Sequence, residues 1–217
     1  MADPVTADKR ALERMIFFGD AVFAFALTLL ALEVRLPAGI EEGRFWAEAA
    51  ALAPQLGAFL ISFALAAMWW LVHMAVTREL RAFDWPTAIC NLLFLVFIVL
   101  LPFAAATFGS NILSNDALGL YWCVNAGAAF ALTLLFIVMS RDGGRLLGGV
   151  SKGRRWLHIV QAAAPGVVFV LGAYWAFTDA TWLARLCGIL IAPAMLLLGL
   201  IEARLARREA SPPPPAP

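Results

Sequence analysis

The stretch RMIFFGDAVFAFALTLLALE, residues 14–33, decides the fold class of this 217-residue chain. Between Asp20 and Glu33 it contains no charged residue. A bilayer core of about 30 Å is crossed by roughly 20 apolar residues in an α-helix. The stretch therefore predicts a membrane-spanning helix that carries an arginine and an aspartate near its beginning.

The composition of the whole chain argues against a water-soluble globule. Hydrophobic residues make up 63% and charged residues 14% of the sequence, whereas soluble proteins carry about 45–50% apolar and about 25% charged residues. The net charge of +1 provides no basic excess to neutralise nucleic-acid phosphates. We therefore expect an all-α membrane protein that has no soluble domain and binds membrane lipid but no nucleic acid.

Six apolar runs are long enough to cross the bilayer. None alternates in polarity as the strands of a membrane barrel do. The second run is long, so its beginning, 46–54, is expected to lie at the membrane interface, and Pro165 predicts a kink in the fifth. The expected helices are about 15–36, 46–76, 87–108, 117–140, 156–177 and 181–205. Residues 1–13 then form an N-terminal segment, 14–206 the six-helix transmembrane domain, and 207–217 a disordered proline-rich tail.

The basic residues orient these helices. Of the 16 lysines and arginines, 13 lie on the side that holds both termini and the loops after the second and fourth helices, and 3 lie on the other side. This imbalance follows the positive-inside rule. Both termini are therefore expected to be cytoplasmic.

Five polar side chains fall close together at the cytoplasmic ends of the first three helices. Because Arg14 and Asp20 do not share a helical face, each needs a partner on another helix or on another copy of the chain. Trp70 and His73 share a face of the second helix, and Asn91 begins the third. These five residues can form one polar cluster. It either fixes the helix packing or contacts a permeating ion or substrate.

Sequence motifs of enzymes and metal sites are missing. His73 and His158 have no zinc-binding spacing, and the three cysteines lie far apart. Neither a phosphate-binding glycine loop nor a nucleophile elbow occurs in the chain. We therefore expect no enzymatic activity, no cofactor and no resident metal.

The first helix also carries an apolar stripe. Phe25, Leu29 and Leu32 follow the spacing i, i+4, i+7, and Thr28 lies beside Phe25. On its own such a stripe is usually a packing surface. The residues that precede the stripe, 14–20, carry a motif that suggests another role for it.

That motif resembles the start of the transmembrane protein 175 potassium channel family, whose hallmark is RxxxFSD followed by an apolar run ending in LE. Arg14, Phe18 and Asp20 match it, and Gly19 replaces the usual serine. The resemblance continues through Trp70 and His73. It then extends to the third helix, with the sequences NLLF at 91–94 and LLPF at 100–103.

The resemblance implies a potassium-preferring leak channel in a bacterial plasma membrane, with K⁺ as the permeant ion. Six-helix subunits of this family assemble as homotetramers whose first helices line a central pore. The narrowest ring of that pore corresponds to Phe25, and further apolar rings correspond to Leu29 and Leu32. Thr28 corresponds to a threonine linked to cation selectivity. The motif residues Arg14, Phe18, Gly19 and Asp20 would form a structural network with Trp70, His73 and Asn91.

Two departures from the family pattern leave alternatives open. Phe25 stands where isoleucine or leucine is usual, so four phenylalanines either close the pore more tightly or present ring faces to a cation. Gly19 removes one hydroxyl, which loosens the network or is compensated by water.

A proton-coupled or other secondary transporter that uses Asp20 and His73 as titrating groups is the alternative function. Repeats or paired broken helices of the transporter kind are not visible in the sequence. A membrane enzyme or scaffold is the third hypothesis, and no clustered catalytic groups favour it.

Overall fold

The computed structural model describes residues 4–144, 146–147, 152–178, 180 and 182–187. Within this part of the chain the only extended pairing is an isolated antiparallel contact between Leu80 and Leu147. The predicted all-helical class is confirmed. The helices are α1 Pro4–Leu32, α2 Phe45–Ala51, α3 Ala53–Thr77, α4 Trp85–Ser110, α5 Asn115–Met139 and α6 Lys152–Phe177.

Five helices are long and apolar enough to cross a membrane: α1 from Asp8, α3, α4, α5, and α6 from His158. The chain is therefore a multi-pass membrane protein. The sixth predicted helix, at about 181–205, lies outside the described residues except for 182–187, which are helical. The tail at 207–217 also lies outside them, so the total of six spans stays a prediction.

The first helix extends further toward the N-terminus than expected and ends earlier. It begins at Pro4 rather than near residue 15, and it ends at Leu32 rather than near residue 36. At the C-terminal end, the Arg35 Nε donates a hydrogen bond to the Leu32 carbonyl oxygen. Pro37 disfavours helical geometry in the residue before it, so the chain leaves the helix ahead of the proline.

The predicted second helix is divided in two at Leu52. Pro54 stands in the first turn of α3, where its missing N–H leaves no hydrogen bond unmade. In a continuous helix the same ring would clash with the carbonyl group four residues earlier. The segment expected to lie at the interface is thus a separate short helix, α2, in which Trp46 is 81% exposed.

The transmembrane helices pack in an order that leaves α1 at one side of the subunit. Helix α5 packs extensively against both α4 and α6, and α1 packs against α3 and α4. The α4–α5 contact depends on Gly127, because a Cβ atom there would overlap the Phe97 ring. Small residues allow such close approach between membrane helices. Among the described helices, α5 is therefore the buried centre, whereas α1 has neighbours on one side only.

Two loops meet at the end of the bundle where α3 ends and α4 begins. The Arg81 backbone N–H donates to the Leu146 carbonyl oxygen at 3.0 Å. Arg141 Nη2 lies 3.2 Å from Asp84 Oδ2, and Asp84 Oδ1 caps α4 by accepting from the Thr87 N–H at 3.0 Å. These contacts join the α3–α4 loop to the α5–α6 loop at what we call the basic end of the subunit.

Candidate functional site

Helix α1 has two faces with different surroundings. One face is buried against α3 and α4 and carries Leu12, Gly19, Phe23, Ala26 and Leu30. The opposite face is not covered by any of the described residues. Because the helix lies within a membrane span, this face meets either lipid or another protein surface.

The uncovered face of α1 is continuous along the helix. Since 3.6 residues make one turn, positions 7 or 11 residues apart differ by only about 20° around the axis. Arg14, Phe18, Phe25 and Leu32 are therefore aligned. Phe18 is 51%, Phe25 66% and Leu32 55% exposed. The stripe read from the sequence thus extends back to two residues of the RxxxFSD-like motif.

Thr28 and Leu29 lie beside this line. Thr28 is exposed and Leu29 is half-buried. The Thr28 hydroxyl donates to the Phe25 carbonyl oxygen at 2.7 Å. Because the hydroxyl proton of Thr28 is engaged in this hydrogen bond within the helix, the hydroxyl oxygen remains available as an acceptor on the uncovered side.

A second group of motif residues joins α1 to α3. The Trp70 Nε1–H donates to Asp20 Oδ1 at 2.9 Å. Asp20 points away from the uncovered line. It is six residues from Arg14 and five from Phe25, and at about 100° per residue neither spacing returns to the same side of the helix. Within the described part of the chain, Trp70 is the hydrogen-bond partner of this carboxylate.

His73 and Asn91 form the neighbouring pair between α3 and α4. His73 Nε2 lies 2.7 Å from Asn91 Oδ1. An amide oxygen can only accept, so Nε2 carries the proton and donates. The imidazole is stacked on Phe94 with ring centroids 5.3 Å apart and lies 5.7 Å from the Phe23 ring. In the part of the chain that the structure describes, the buried atoms His73 Nδ1 and Asn91 Nδ2 have no hydrogen-bond partner.

Gly19 determines how closely α1 approaches this pair. A Cβ atom at this position would lie 3.0 Å from His73 Cε1 and 3.8 Å from His73 Nδ1. The imidazole therefore occupies the space that a side chain at position 19 would need. At the position where the family motif has serine, this chain has Gly19, and the His73 ring packs directly against that glycine.

The structure thus divides the five polar residues expected in one cluster. It brings together Asp20 with Trp70, and His73 with Asn91. It does not bring Arg14 to them. In the described residues Arg14 has no ion pair or hydrogen bond and is exposed. Arg14 instead lies on the uncovered line of α1, apart from the other four residues.

A third polar group was missed in the sequence. Ser62 Oγ donates to the Tyr121 hydroxyl at 3.1 Å, and Trp69 Nε1 donates to Asn125 Oδ1 at 3.3 Å. The Asn125 amide also donates to the Tyr121 carbonyl oxygen at 2.9 Å. These contacts join α3 to α5. The signal that could have found them is the occurrence of Ser62 and Asn125 inside otherwise apolar runs.

In the described residues, no group of three or more His, Cys, Asp or Glu side chains could hold a metal ion. Helix α1 instead presents an apolar face on one side, and on another side the Trp70–Asp20 hydrogen bond joins it to α3.

A family model described as the endosomal/lysosomal potassium channel TMEM175 matches residues 14–102. These residues carry the TMEM175 family pattern. The match begins at Arg14 and includes the rest of α1, all of α2 and α3, and most of α4, so it contains both hydrogen-bonded pairs and the uncovered face. The resemblance inferred from the motif is confirmed.

Curated relatives with matching sequences are named potassium channels. One from Streptomyces collinus is 28% identical over 134 residues, which are 60% of this chain and 65% of the relative. One from Chamaesiphon minutus is 30% identical over 125 residues, which are 57% of this chain and 61% of the relative. The chain therefore matches less than two thirds of the length of these TMEM175-like relatives.

The fold is similar to a solved structure. The crystal structure of a lysosomal potassium-selective channel TMEM175 homolog from Chamaesiphon minutus superposes with a TM-score of 0.75. The identity is 22%, and the match covers 87% of this chain and 97% of the other. The TMEM175 pattern in α1–α4 is thus accompanied by the corresponding helical fold.

Proposed function

We propose that this protein is a potassium-preferring leak cation channel, built as a homotetramer around the uncovered face of α1. The observation that supports the proposal is that face: a charge-free line from Phe18 to Leu32 on a helix that, among the described residues, has neighbours on one side only. Four copies of one helix can enclose an axis. The TMEM175 pattern and the names of the relatives support K⁺ as the permeant ion.

The constriction is assigned to Phe25, Leu29 and Leu32. Four copies of these side chains would form apolar rings, and an apolar constriction controls conduction by excluding water. Thr28 is the polar exception on this surface, and its hydroxyl oxygen is available to a cation that has lost part of its hydration shell. Phe25 would form the narrowest ring, because its side chain is the largest of the three.

The remaining motif residues hold α1 in place. Asp20 and Trp70 fasten α1 to α3, and Gly19 lets α1 approach the His73–Asn91 pair closely. In this proposal Arg14 and Phe18 contact a neighbouring subunit, since both lie on the uncovered line. The network is structural and contributes no ion ligand.

We place the channel in a bacterial plasma membrane with both termini in the cytoplasm. The distribution of 13 basic residues on one side and 3 on the other supports this orientation. The basic end of the subunit then faces the cytoplasm, and α2 lies on the outside.

Potassium flux through liposomes tests the proposal. Purified protein should carry K⁺ down its gradient, and Phe25→Ala should increase the flux because it removes the bulk of the narrowest ring. Phe103→Ala is the matched control, since Phe103 is similarly exposed, at 59%, but belongs to α4 and not to α1. The proposal fails if no monovalent cation passes in several lipid mixtures, or if both variants raise the flux equally.

Two further results separate the channel from the transporter that would use Asp20 and His73. A channel tetramer in mild detergent and flux that does not saturate with K⁺ concentration support the proposal. Uptake that saturates, follows a proton gradient and disappears in Asp20→Asn would replace it with proton-coupled transport.

A further inference from the structure

Two acidic side chains at the basic end, Asp84 and Glu79, have contacts within the subunit. Asp84 binds Arg141 with one oxygen and caps α4 with the other. Glu79 Oε1 lies 4.0 Å from His158 Nε2 on α6. Asp84 is thus paired with an arginine, and Glu79 lies beside a histidine.

Two arginines next to them keep an uncompensated charge. Arg78 and Arg81 are exposed, and neither forms an ion pair or side-chain hydrogen bond within the described part of the chain. Asp142, in the turn after α5, is a further exposed acid at this end. Arg78 and Arg81 therefore present two positive charges without ion-pair partners among the described residues. The nearby Asp84 is bound to Arg141, and Glu79 lies beside His158.

An exposed tryptophan lies beside these charges, at the beginning of a helix that is long enough to span a membrane. Trp85 begins α4 directly after the loop, is 73% exposed, and packs edge-on against Phe83 with ring centroids 5.4 Å apart. Tryptophan is enriched at membrane–water interfaces. From Trp85 an exposed apolar line continues into the span, through Ile89, Leu92, Val96, Val99 and Phe103.

We propose that Arg78, Arg81 and Trp85 form a surface, here named the basic surface, that binds the headgroup of an anionic phospholipid. The two guanidinium groups suit the phosphate of such a headgroup, because a planar guanidinium donates to phosphate oxygens in pairs. The tryptophan and the exposed line of α4 accommodate the upper part of the acyl chains. This inference concerns the lipid contact of the subunit and does not depend on whether the protein conducts ions.

Native mass spectrometry of the full-length protein tests the basic surface. The protein is presented with phosphatidylglycerol and phosphatidylcholine of identical acyl chains, and the retained lipids are counted. Each arginine near an anionic surface should favour the anionic lipid about fivefold, so Arg78→Gln with Arg81→Gln should reduce the preference about 30-fold. Arg44→Gln is the control and should leave the preference unchanged, because Arg44 is an exposed arginine beyond the opposite end of α3 that is paired with Glu48.

Two measurements on the unmodified protein keep the test valid if the double variant does not fold. Raising the salt from about 0.1 M to 1 M shortens the screening length from about 10 Å to about 3 Å and should weaken the preference for phosphatidylglycerol. Inorganic phosphate at the lipid concentration should not displace the lipid. The proposal is supported if the double variant loses the preference for phosphatidylglycerol while Arg44→Gln keeps it. Equal retention in all variants, equal loss in Arg44→Gln, insensitivity to salt, or displacement by inorganic phosphate overturns it.

Discussion

Adding a single methyl group at Gly19 should destabilise the contact between α1 and α3. The new Cβ would lie 3.0 Å from His73 Cε1, which is closer than ordinary van der Waals contact. Overpacking of this kind costs about 1–3 kcal/mol. At Gly57 in α3, by contrast, a Cβ meets no atom within 4 Å. We therefore expect Gly19→Ala to be about 1–3 kcal/mol less stable than the control Gly57→Ala.

Serine at the same position should recover part of this loss. Its Cβ crowds the imidazole in the same way, but its hydroxyl can donate to His73 Nδ1, which is 3.8 Å from the Cβ position and has no hydrogen-bond partner. A hydrogen bond contributes about 1 kcal/mol net to stability. Serine and alanine also differ in helix propensity, and the pair Gly57→Ser and Gly57→Ala measures that difference separately.

The assay is thermal unfolding in one detergent, followed by tryptophan fluorescence, for the original protein and the four variants. For a chain of this size, about 1 kcal/mol shifts the melting temperature by about 2–4 °C. Gly19→Ala should melt lowest, and serine should exceed alanine by more at position 19 than at position 57. If Gly19→Ala melts with Gly57→Ala, or if serine offers no advantage over alanine at position 19, the described packing of His73 is wrong.

Two further changes test the polar contacts between helices. Trp70→Phe removes the donor to Asp20 and should lower stability by about 1.5–3 kcal/mol, the range for hydrogen bonds to charged groups; Trp46→Phe, at an 81% exposed position, should leave the melting temperature unchanged. Tyr121→Phe should cost about 1 kcal/mol, because it leaves the Ser62 hydroxyl buried without its acceptor. Adding Ser62→Ala to that variant should then cost little more, and strictly additive losses in the double-mutant cycle would contradict the contact.

Much of the fold could be predicted from the lengths of the apolar runs, because the thickness of the bilayer sets the length of a spanning helix. The helices α4 and α5 begin and end within two residues of the expected bounds. Pro54 is compatible with the division between α2 and α3. The sequence alone did not decide whether the helix breaks there or continues. The position of the first residue of α1 could not be predicted, since polar helical turns outside the membrane have no apolar signal.

The candidate site was predictable in its members but not in its arrangement. The spacing of Arg14 and Asp20 showed that they lie on different faces, and the structure places Asp20 at Trp70 and Arg14 on the uncovered side. The separate His73–Asn91 pair depends on the rotation of α3 and α4 about their own axes, which hydropathy does not specify. The closeness of Gly19 to His73 likewise follows from packing between two helices.

The most direct test of the channel proposal is whether water-soluble reagents reach the uncovered face of α1 from the ion pathway. Thr28→Cys is introduced after the three natural cysteines, Cys90, Cys123 and Cys187, have been replaced by alanine. Val96→Cys, on the exposed line of α4, is the control. K⁺ flux through liposomes is recorded before and after addition of a charged thiol reagent. The account predicts that the reagent blocks flux through Thr28→Cys and leaves Val96→Cys unaffected; unchanged flux through Thr28→Cys would contradict it.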